Sequence, residues 1–373
     1  MPAITVLIKP ASGMCNMQCD YCFYCDEAQK RKHTSYGFMT EETLKNIIRK
    51  TILRAEGAVT YAFQGGEPTL RGLDFFEKVL EYEEHYNRNH IKVYNAIQTN
   101  GYLIDDQWCQ FLKRHQFLVG VSVDGTRNVH DNYRHDASGK PTYDKIRNNI
   151  RRMEKYGVDF NILTVVTEKI ADYIEEIYHE YQKNGWHYQQ YIACLDPLNE
   201  ERAQRSYALT LEKYGLFLTK LFNLWYSDWK KGKQPFIRQL ENYVGILAGY
   251  VPEACNQRGN CSMQTVCEAD GSVFPCDFYV LDEFLIGNFN QDRPDEIINN
   301  AKKNPLFERS HKIDPVCLEC KYYQICRGGC QRERVYQEQT DTYHNYFCSS
   351  FQYFFDHCLE RLQEMAMSLH PQI

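Results

Sequence analysis

Cysteine is the residue type most able to do chemistry in this 373-residue chain: sixteen are present, and eleven fall into tight, ordered spacings. Near the start, Cys15-x3-Cys19-x2-Cys22 follows an apolar run. Three thiolates on one short loop can ligate three irons of a [4Fe–4S] cluster and leave the fourth iron open to another ligand. Zinc suits such a triplet poorly, because structural zinc takes four ligands, usually as two separated pairs. Cys25 extends the run to Cys19-x2-Cys22-x2-Cys25, a spacing like that of bacterial ferredoxins. A fourth ligand there would make an electron carrier instead of a catalyst, although a simple carrier needs no large α/β framework.

The remaining ordered cysteines read Cys261-x9-Gly271-x4-Cys276, then Cys317-x2-Cys320-x5-Cys326-x3-Cys330, then Cys348, with Cys255 just upstream. Eight thiols make two sets of four. Two zinc sites and two iron–sulfur clusters both satisfy the count, and Cys317-x2-Cys320 alone is a common zinc-knuckle spacing. Cys25, Cys109, Cys194, Cys267 and Cys358 are left over. Cys109 and Cys358 lie in helical segments, where a free cysteine is most often a small buried hydrophobe. Cys267 is close enough to Cys261 to be mistaken for a ligand, and Cys194 follows a strand end where it could touch a substrate.

The elements that must position these groups alternate. Strands are expected at Ile4–Ile8, Val59–Phe63, Ile91–Gln98, Phe117–Val123, Phe160–Val166 and Tyr188–Ala193. Helical spacing fills Glu41–Glu56, Asp74–Tyr86, Asp105–His115, Tyr143–Tyr156 and Ala171–Asn184, with Gly57, Gly157 and Gly185 as stops. Six such units imply parallel strands with right-handed crossovers and binding groups on the loops at their carboxyl ends. Gly65-Gly66-Glu67-Pro68, Thr99-Asn100-Gly101 and Ser122-Val123-Asp124-Gly125 fall on those loops. A helix around Leu211–Lys231 follows, then a stretch from Cys255 to Cys348 with little periodicity, as expected where metal replaces a hydrophobic core, then a helix over Phe351–Ser368.

Composition narrows the partners. With 43% hydrophobic and 14% aromatic residues, a packed interior is assured. A net charge of −6 and no long basic run remove the footprint of a nucleic-acid or anionic-membrane binder. The N-terminus MPAITVLIKP lacks the features of a signal peptide, and no stretch approaches 18 apolar residues, so a cytoplasmic protein is expected. There, reducing conditions favour metal over disulfides as the use of cysteine.

The run Cys15-Asn16-Met17-Gln18-Cys19-Asp20-Tyr21-Cys22 resembles the CxxxCxxC signature of radical S-adenosylmethionine enzymes. The resemblance implies an α/β fold built on a partial (β/α)6 barrel. It also implies that the open iron chelates the amino and carboxylate groups of S-adenosylmethionine. Gly65, Gly66 and Glu67 then correspond to the loop that meets the methionine amino group, Ser122 and Arg134 are candidates for its carboxylate, Tyr21 lines the adenine side and Leu195 gives an apolar contact. The C-terminal order of cysteines is similar to the SPASM extension. That similarity implies two auxiliary [4Fe–4S] clusters, one held by Cys255, Cys261, Cys276 and Cys330, the other by Cys317, Cys320, Cys326 and Cys348, and so three clusters in all.

Longer matches narrow the family. Lys9-Pro10-Ala11-Ser12, Ser35-Tyr36-Gly37-Phe38-Met39, Phe63-Gln64-Gly65-Gly66-Glu67-Pro68-Thr69-Leu70, Cys194-Leu195-Asp196-Pro197-Leu198 and Pro275-Cys276-Asp277-Phe278-Tyr279 together resemble anaerobic sulfatase-maturating enzymes. The resemblance implies oxidation of one Cys or Ser of a nascent sulfatase to Cα-formylglycine without molecular oxygen. A 5′-deoxyadenosyl radical takes the substrate Cβ hydrogen, a base takes the thiol or hydroxyl proton, and the surplus electron leaves through an auxiliary cluster. Asp277 is the candidate base, held by its neighbour Cys276 and open to an upward pKa shift by desolvation. Gln64 and Tyr24 are candidates for holding the substrate peptide. The implied partners are an unfolded sulfatase polypeptide and an external low-potential electron donor.

The expected organisation is a barrel over 1–235, a SPASM domain over 236–350 and a C-terminal helix over 351–373. Two rivals remain. One is a SPASM maturase that crosslinks a ribosomal peptide, which would commonly need a leader-binding domain for which there is no room before Cys15. The other is a non-catalytic electron-transfer or zinc-stabilised interaction protein.

Overall fold

The computed structural model describes residues 3–369. Residues 1–2 and 370–373, the latter being the end of the expected 351–373 segment, lie outside the described residues. Along the chain run strands β1 (Ile4–Ile8), β2 (Ala58–Phe63), β3 (Lys92–Thr99), β4 (Leu118–Ser122), β5 (Phe160–Val166), β6 (Tyr188–Ala193), β7 (Phe236–Ile237), β8 (Thr265–Cys267), β9 (Ser272–Phe274) and β10 (Gly287–Asn288). The fold divides into two compact units. One runs to Val123 and adds Asp131–Asn161 and Met263–Asn304; the other takes Asp124–His130, Ile162–Ser262 and the chain from Pro305 on.

In the first unit, β1, β2, β3 and β4 are parallel neighbours in that order, as the alternation of strand and helix requires. Along β2 every second residue is buried, with Val59, Tyr61 and Phe63 at 0% exposure. The helices Gly72–Tyr86 and Asp106–Arg114 cover the sheet through an aromatic cluster: Phe63 to Phe76 at 5.1 Å, Phe76 to Trp108 at 5.3 Å and Phe111 to Phe117 at 5.5 Å between ring centroids. Burying each such ring contributes about 1.5–3 kcal/mol.

The other edge of β1 is occupied by a segment that the sequence leaves irregular. β8 pairs parallel with β1, with Ile8 opposite Cys267, and β9 and β10 continue antiparallel from it. The cysteine-rich stretch therefore contributes three short strands here, together with the helix Pro294–Lys302, which has proline in its first turn. Cys267 ends fully buried on β8, a small hydrophobe of the core.

The second unit carries β5, β6 and β7 as parallel neighbours. The expected helix over Ala171–Asn184 is two pieces, Glu168–Asp172 and Ile174–Lys183, which meet at Tyr173; the first starts early, where the Thr167 hydroxyl accepts from the Ile170 N–H. The long helices Leu211–Trp229 and Cys348–Ser368 pack together, with Phe222 and Phe354 centroids 6.0 Å apart. A Cβ at Gly215 would stand 3.3 Å from Ser350 Cα, so a larger residue there would press the two helices apart by a few tenths of an ångström. The last helix starts before the expected Phe351, with Cys348 as its first residue. Among the described residues no helix is long and apolar enough to cross a membrane.

Candidate active site

β1 ends at Ile8 and releases the chain into a loop bearing Cys15, Cys19 and Cys22. Burial, with Glu67, Cys19 and Cys22 nearby, pushes the Cys15 thiol up to about 12. Thiols that crowd together and resist ionisation need a strong cation to become thiolates, and iron supplies one, so the donor set fits a cluster. The Asn100 Nδ2 donates to Cys15 Sγ at 3.6 Å and to Asn16 Oδ1 at 2.8 Å. Cys25 lies beside this trio: its free thiol shares a hydrogen bond with that of Cys22, which raises the Cys22 thiol well above its usual range and lowers that of Cys25. Cys25 sits in the first turn of the helix Phe23–Gln29, which Cys22 caps, and is exposed.

A short strand over Met17–Cys19 pairs antiparallel with Arg134–Asp136, placing Arg134 directly across from Cys19. Arg134 is therefore buried, not a solvated loop residue, and its Nη1 donates to the Tyr21 hydroxyl at 2.8 Å. Ser122 is the last residue of β4 and half-buried. Leu195 follows β6 in the second unit, also half-buried.

The glycine pair serves a close backbone contact. Gly66 N–H donates to Ser12 O and Glu67 N–H to Met14 O, each at 2.8 Å, and a Cβ on Gly66 would fall 2.0 Å from Met14 O. Glu67 has no exposed surface, and its carboxylate is taken up inside the loop. It accepts from Thr69 N at 3.0 Å, Thr69 Oγ1 at 2.5 Å, Thr99 Oγ1 at 2.8 Å and Asn100 N at 2.8 Å. Its side chain thus ties the ends of β2 and β3 together behind the cysteine loop.

Asp277 stands at the centre of a buried polar node. Tyr24 OH donates to Asp277 Oδ2 at 2.8 Å and Gln64 Nε2 to the same oxygen at 2.7 Å, while Lys9 Nζ lies 3.1 Å from Oδ1. Tyr24 and Gln64, expected to hold a peptide, here hold this carboxylate. The hairpin of β8 and β9 delivers Asp277 to the spot, and Phe278 fixes the turn by packing its ring 5.0 Å from that of Phe23. Lys9 is 2% exposed and stands in the sequence only as part of the Lys9-Pro10-Ala11-Ser12 match, without a role; a lysine directly after a strand is legible as functional only if known to be buried, since buried lysine needs a partner. Burial lowers its pKa, but the carboxylates of Asp277, Glu268 and Glu27 more than offset this and hold the ammonium above its ordinary value. Burial and the Asp277 charge likewise push the Tyr24 phenol well up.

In the second unit Cys317, Cys320, Cys326 and Cys348 line one pocket, walled by Tyr322, Phe351 and Phe355. Burial and the other thiols of the set push Cys317 up to about 11 and Cys326 up to about 12. Four neighbouring thiols in one apolar recess fit a fully ligated cluster. Cys330 is half-buried near Cys261 and Cys255, and desolvation raises its thiol above the usual range. Cys276 belongs to the first unit, directly before Asp277. Cys109, Cys194 and Cys358 are buried and belong to neither group.

Comparison with known proteins agrees along the whole chain. Residues 10–181 match the radical SAM superfamily and residues 255–321 the iron–sulfur cluster-binding SPASM domain. A cysteine-type anaerobic sulfatase-maturating enzyme of Clostridium novyi is 41% identical over 99% of this chain and 99% of its own length. A serine-type enzyme of Bacteroides thetaiotaomicron is 28% identical over 98% of this chain and 92% of its own. The solved structure of native anSMEcpe with bound AdoMet and Cp18Cys peptide superposes with a TM-score of 0.93 at 39% identity, covering 99% of this chain and 100% of that one. This chain belongs to the anaerobic sulfatase-maturating enzymes, radical S-adenosylmethionine oxidoreductases that generate formylglycine on an α/β partial (β/α)6 barrel joined to a SPASM domain.

Proposed function

We propose that this chain oxidises a cysteine of an unfolded or nascent sulfatase polypeptide to Cα-formylglycine, with Asp277 as the base. The observation that carries the assignment is the state of the Asp277 carboxylate. Its Oδ2 already accepts from both Tyr24 and Gln64, whereas Oδ1 faces only the Lys9 ammonium and receives no hydrogen bond among the described residues. Each carboxylate oxygen has two lone-pair sites, so Oδ1 is the oxygen left to take a proton from substrate. Tyr24, Gln64 and Lys9 fix its direction before the substrate arrives, which lowers the cost of reaching the transition state.

Cys15, Cys19 and Cys22 would hold the radical-generating [4Fe–4S] cluster. Gly65, Gly66, Ser122, Arg134, Tyr21 and Leu195 would surround S-adenosylmethionine, with Glu67 bracing the loop from behind. When bound there, cluster and cosubstrate supply the 5′-deoxyadenosyl radical that removes a hydrogen from the substrate Cβ. Asp277 then accepts the thiol proton. With one electron passed on, the thiol becomes a thioaldehyde that water converts to the aldehyde. Cys255, Cys261, Cys276 and Cys330 would hold one auxiliary cluster; Cys317, Cys320, Cys326 and Cys348 would hold the other.

The division into a barrel over 1–235, a SPASM domain over 236–350 and a terminal helical segment from 351, a cytoplasmic location and an external low-potential donor belong to the same proposal. The cysteine preference rests on the identity of 41% to a cysteine-type relative against 28% to a serine-type one. Anaerobic turnover of a sulfatase-derived cysteine peptide, followed by mass spectrometry, tests it. Replacement of sulfur by oxygen with loss of two hydrogens is expected. A crosslinked peptide, or reaction of a serine peptide alone, would overturn the assignment.

A further inference from the structure

Arg334 opens the strand Arg334–Gln337 and is buried at 6% exposure. Its guanidinium is spent on backbone. Nε donates to Gly328 O at 2.9 Å, Nη1 to Ser310 O at 2.9 Å, and Nη2 to Gly259 O at 2.7 Å and Gly329 O at 2.9 Å. The acceptors are set up by unusual backbone: Arg327, Gly328 and Gly329 are consecutive residues with φ of 52°, 78° and 65°. A Cβ on Gly329 would lie 2.2 Å from Asn345 Nδ2, so that turn requires glycine.

Those carbonyls belong to the loops that bear both four-cysteine sets. Gly259 lies between Cys255 and Cys261, and Gly328 and Gly329 lie between Cys326 and Cys330. Ser310 also accepts the Cys261 N–H on its hydroxyl at 3.1 Å.

Every short bond from this buried cation ends on a neutral oxygen, and among the described residues no carboxylate pairs with it. Glu333, its sequence neighbour, turns its carboxylate to Asn345 Nδ2 at 3.3 Å and makes no ion pair with the guanidinium. Carbonyl dipoles satisfy the N–H groups, but a buried charge also calls for an opposite one. The loops it grips carry Cys255, Cys261, Cys326 and Cys330, whose thiolates would supply that negative charge.

We propose that Arg334 is the shared counter-cation of the two auxiliary iron–sulfur clusters, a positioning residue that braces their loops and offsets the negative charge of their thiolates. The inference rests on the proposal that these cysteines hold clusters, and the wild-type chain checks that first. Anaerobic reconstitution should give about twelve irons; about four would remove the underlying reading before any variant is made.

The test compares Arg334→Lys, which keeps the charge without the fork, with Arg334→Met, which keeps neither. Iron content and the reduction potentials of the auxiliary clusters are measured on full-length reconstituted protein. For Arg334→Met the expected result is loss of the auxiliary irons, or their retention at lowered potential, since removing a positive charge disfavours reduction. Arg334→Lys should keep both irons and potentials near wild type. Loss of the auxiliary irons in both variants alike would mean that the fork, not the charge, is what matters, and would overturn the proposal. So would a fully loaded Arg334→Met with unchanged potentials.

Discussion

Two thiol-rich regions of this molecule use the same ligand atom in opposite surroundings. Around Cys15, Cys19 and Cys22 the neighbours are polar or charged: Asn100 on the sulfur, Arg134 across from Cys19, and within the same unit the buried Lys9, Glu27, Arg31, Glu268 and Asp277. Around Cys317, Cys320, Cys326 and Cys348 the walls are largely apolar and aromatic. Buried polar groups are costly unless each bond is made, so a fold retains them where bonds must be directed. A site that orients a cosubstrate and takes a proton needs that direction, whereas a site that stores an electron needs a dry, fully ligated pocket.

The largest effect should come from removing one sulfur on each side. Cys19→Ala is expected to abolish S-adenosylmethionine cleavage, while Cys326→Ala should lose about four irons yet still cleave the cosubstrate when given a chemical reductant. Iron analysis and deoxyadenosine assay read both; equal loss of cleavage in the two variants would erase the distinction. Next comes the base. Asp277→Asn should lower formylglycine formation by about 10²–10⁴-fold while deoxyadenosine continues to form, and aldehyde formation at the wild-type rate would remove Asp277 from the mechanism.

A smaller loss is expected at Lys9, because it acts through Asp277. Removing one partner of a buried ion pair leaves the other charge uncompensated, so Lys9→Met should slow turnover by about 10–100-fold. Lys9→Arg should recover part of the rate and restore the pH profile, whereas a purely packing role would let Met outperform Arg. The smallest effect sharpens the contrast between a buried carboxylate with a cation and one without. Among the described residues the Glu83 carboxylate accepts only from Asn95 Nδ2, at 3.0 Å, and burial pushes its carboxyl up to about 7. Its folded pKa exceeds the unfolded value, so stability present below the unfolded pKa near 4.5 is lost as pH rises through about 7. Glu83→Gln should flatten that decline in urea unfolding and gain up to about 3 kcal/mol at pH 8; an unchanged pH dependence would show Glu83 ionising normally.

Much of the framework was legible because periodicity reports local burial. β1, β5 and β6 fall where the apolar runs place them, and Tyr143–Tyr156 ends at Gly157 in the left-handed conformation, as read. Asp105 shows the limit: read as the first helical residue, it is instead the cap, accepting from Trp108 N–H. β8 was invisible because three residues carry no period, and its place beside β1 is a long-range pairing. The same pairing hid the site's interior. Nothing local in the sequence announces that Lys9, Tyr24 and Gln64 converge on Asp277, or that the Glu67 carboxylate turns inward. Cysteine spacing was readable at once, since ligand sets are written in short intervals.

The open coordination position is tested most directly by electron paramagnetic resonance of the reduced, reconstituted enzyme as S-adenosylmethionine is added, in the wild type and in Cys25→Ala. One cluster signal should change on addition while the auxiliary signals stay fixed, and the same change should persist without the Cys25 thiol. A wild-type spectrum indifferent to S-adenosylmethionine, with a response appearing only in Cys25→Ala, would mean that Cys25 closes the site and that the polar region is not where the radical is made.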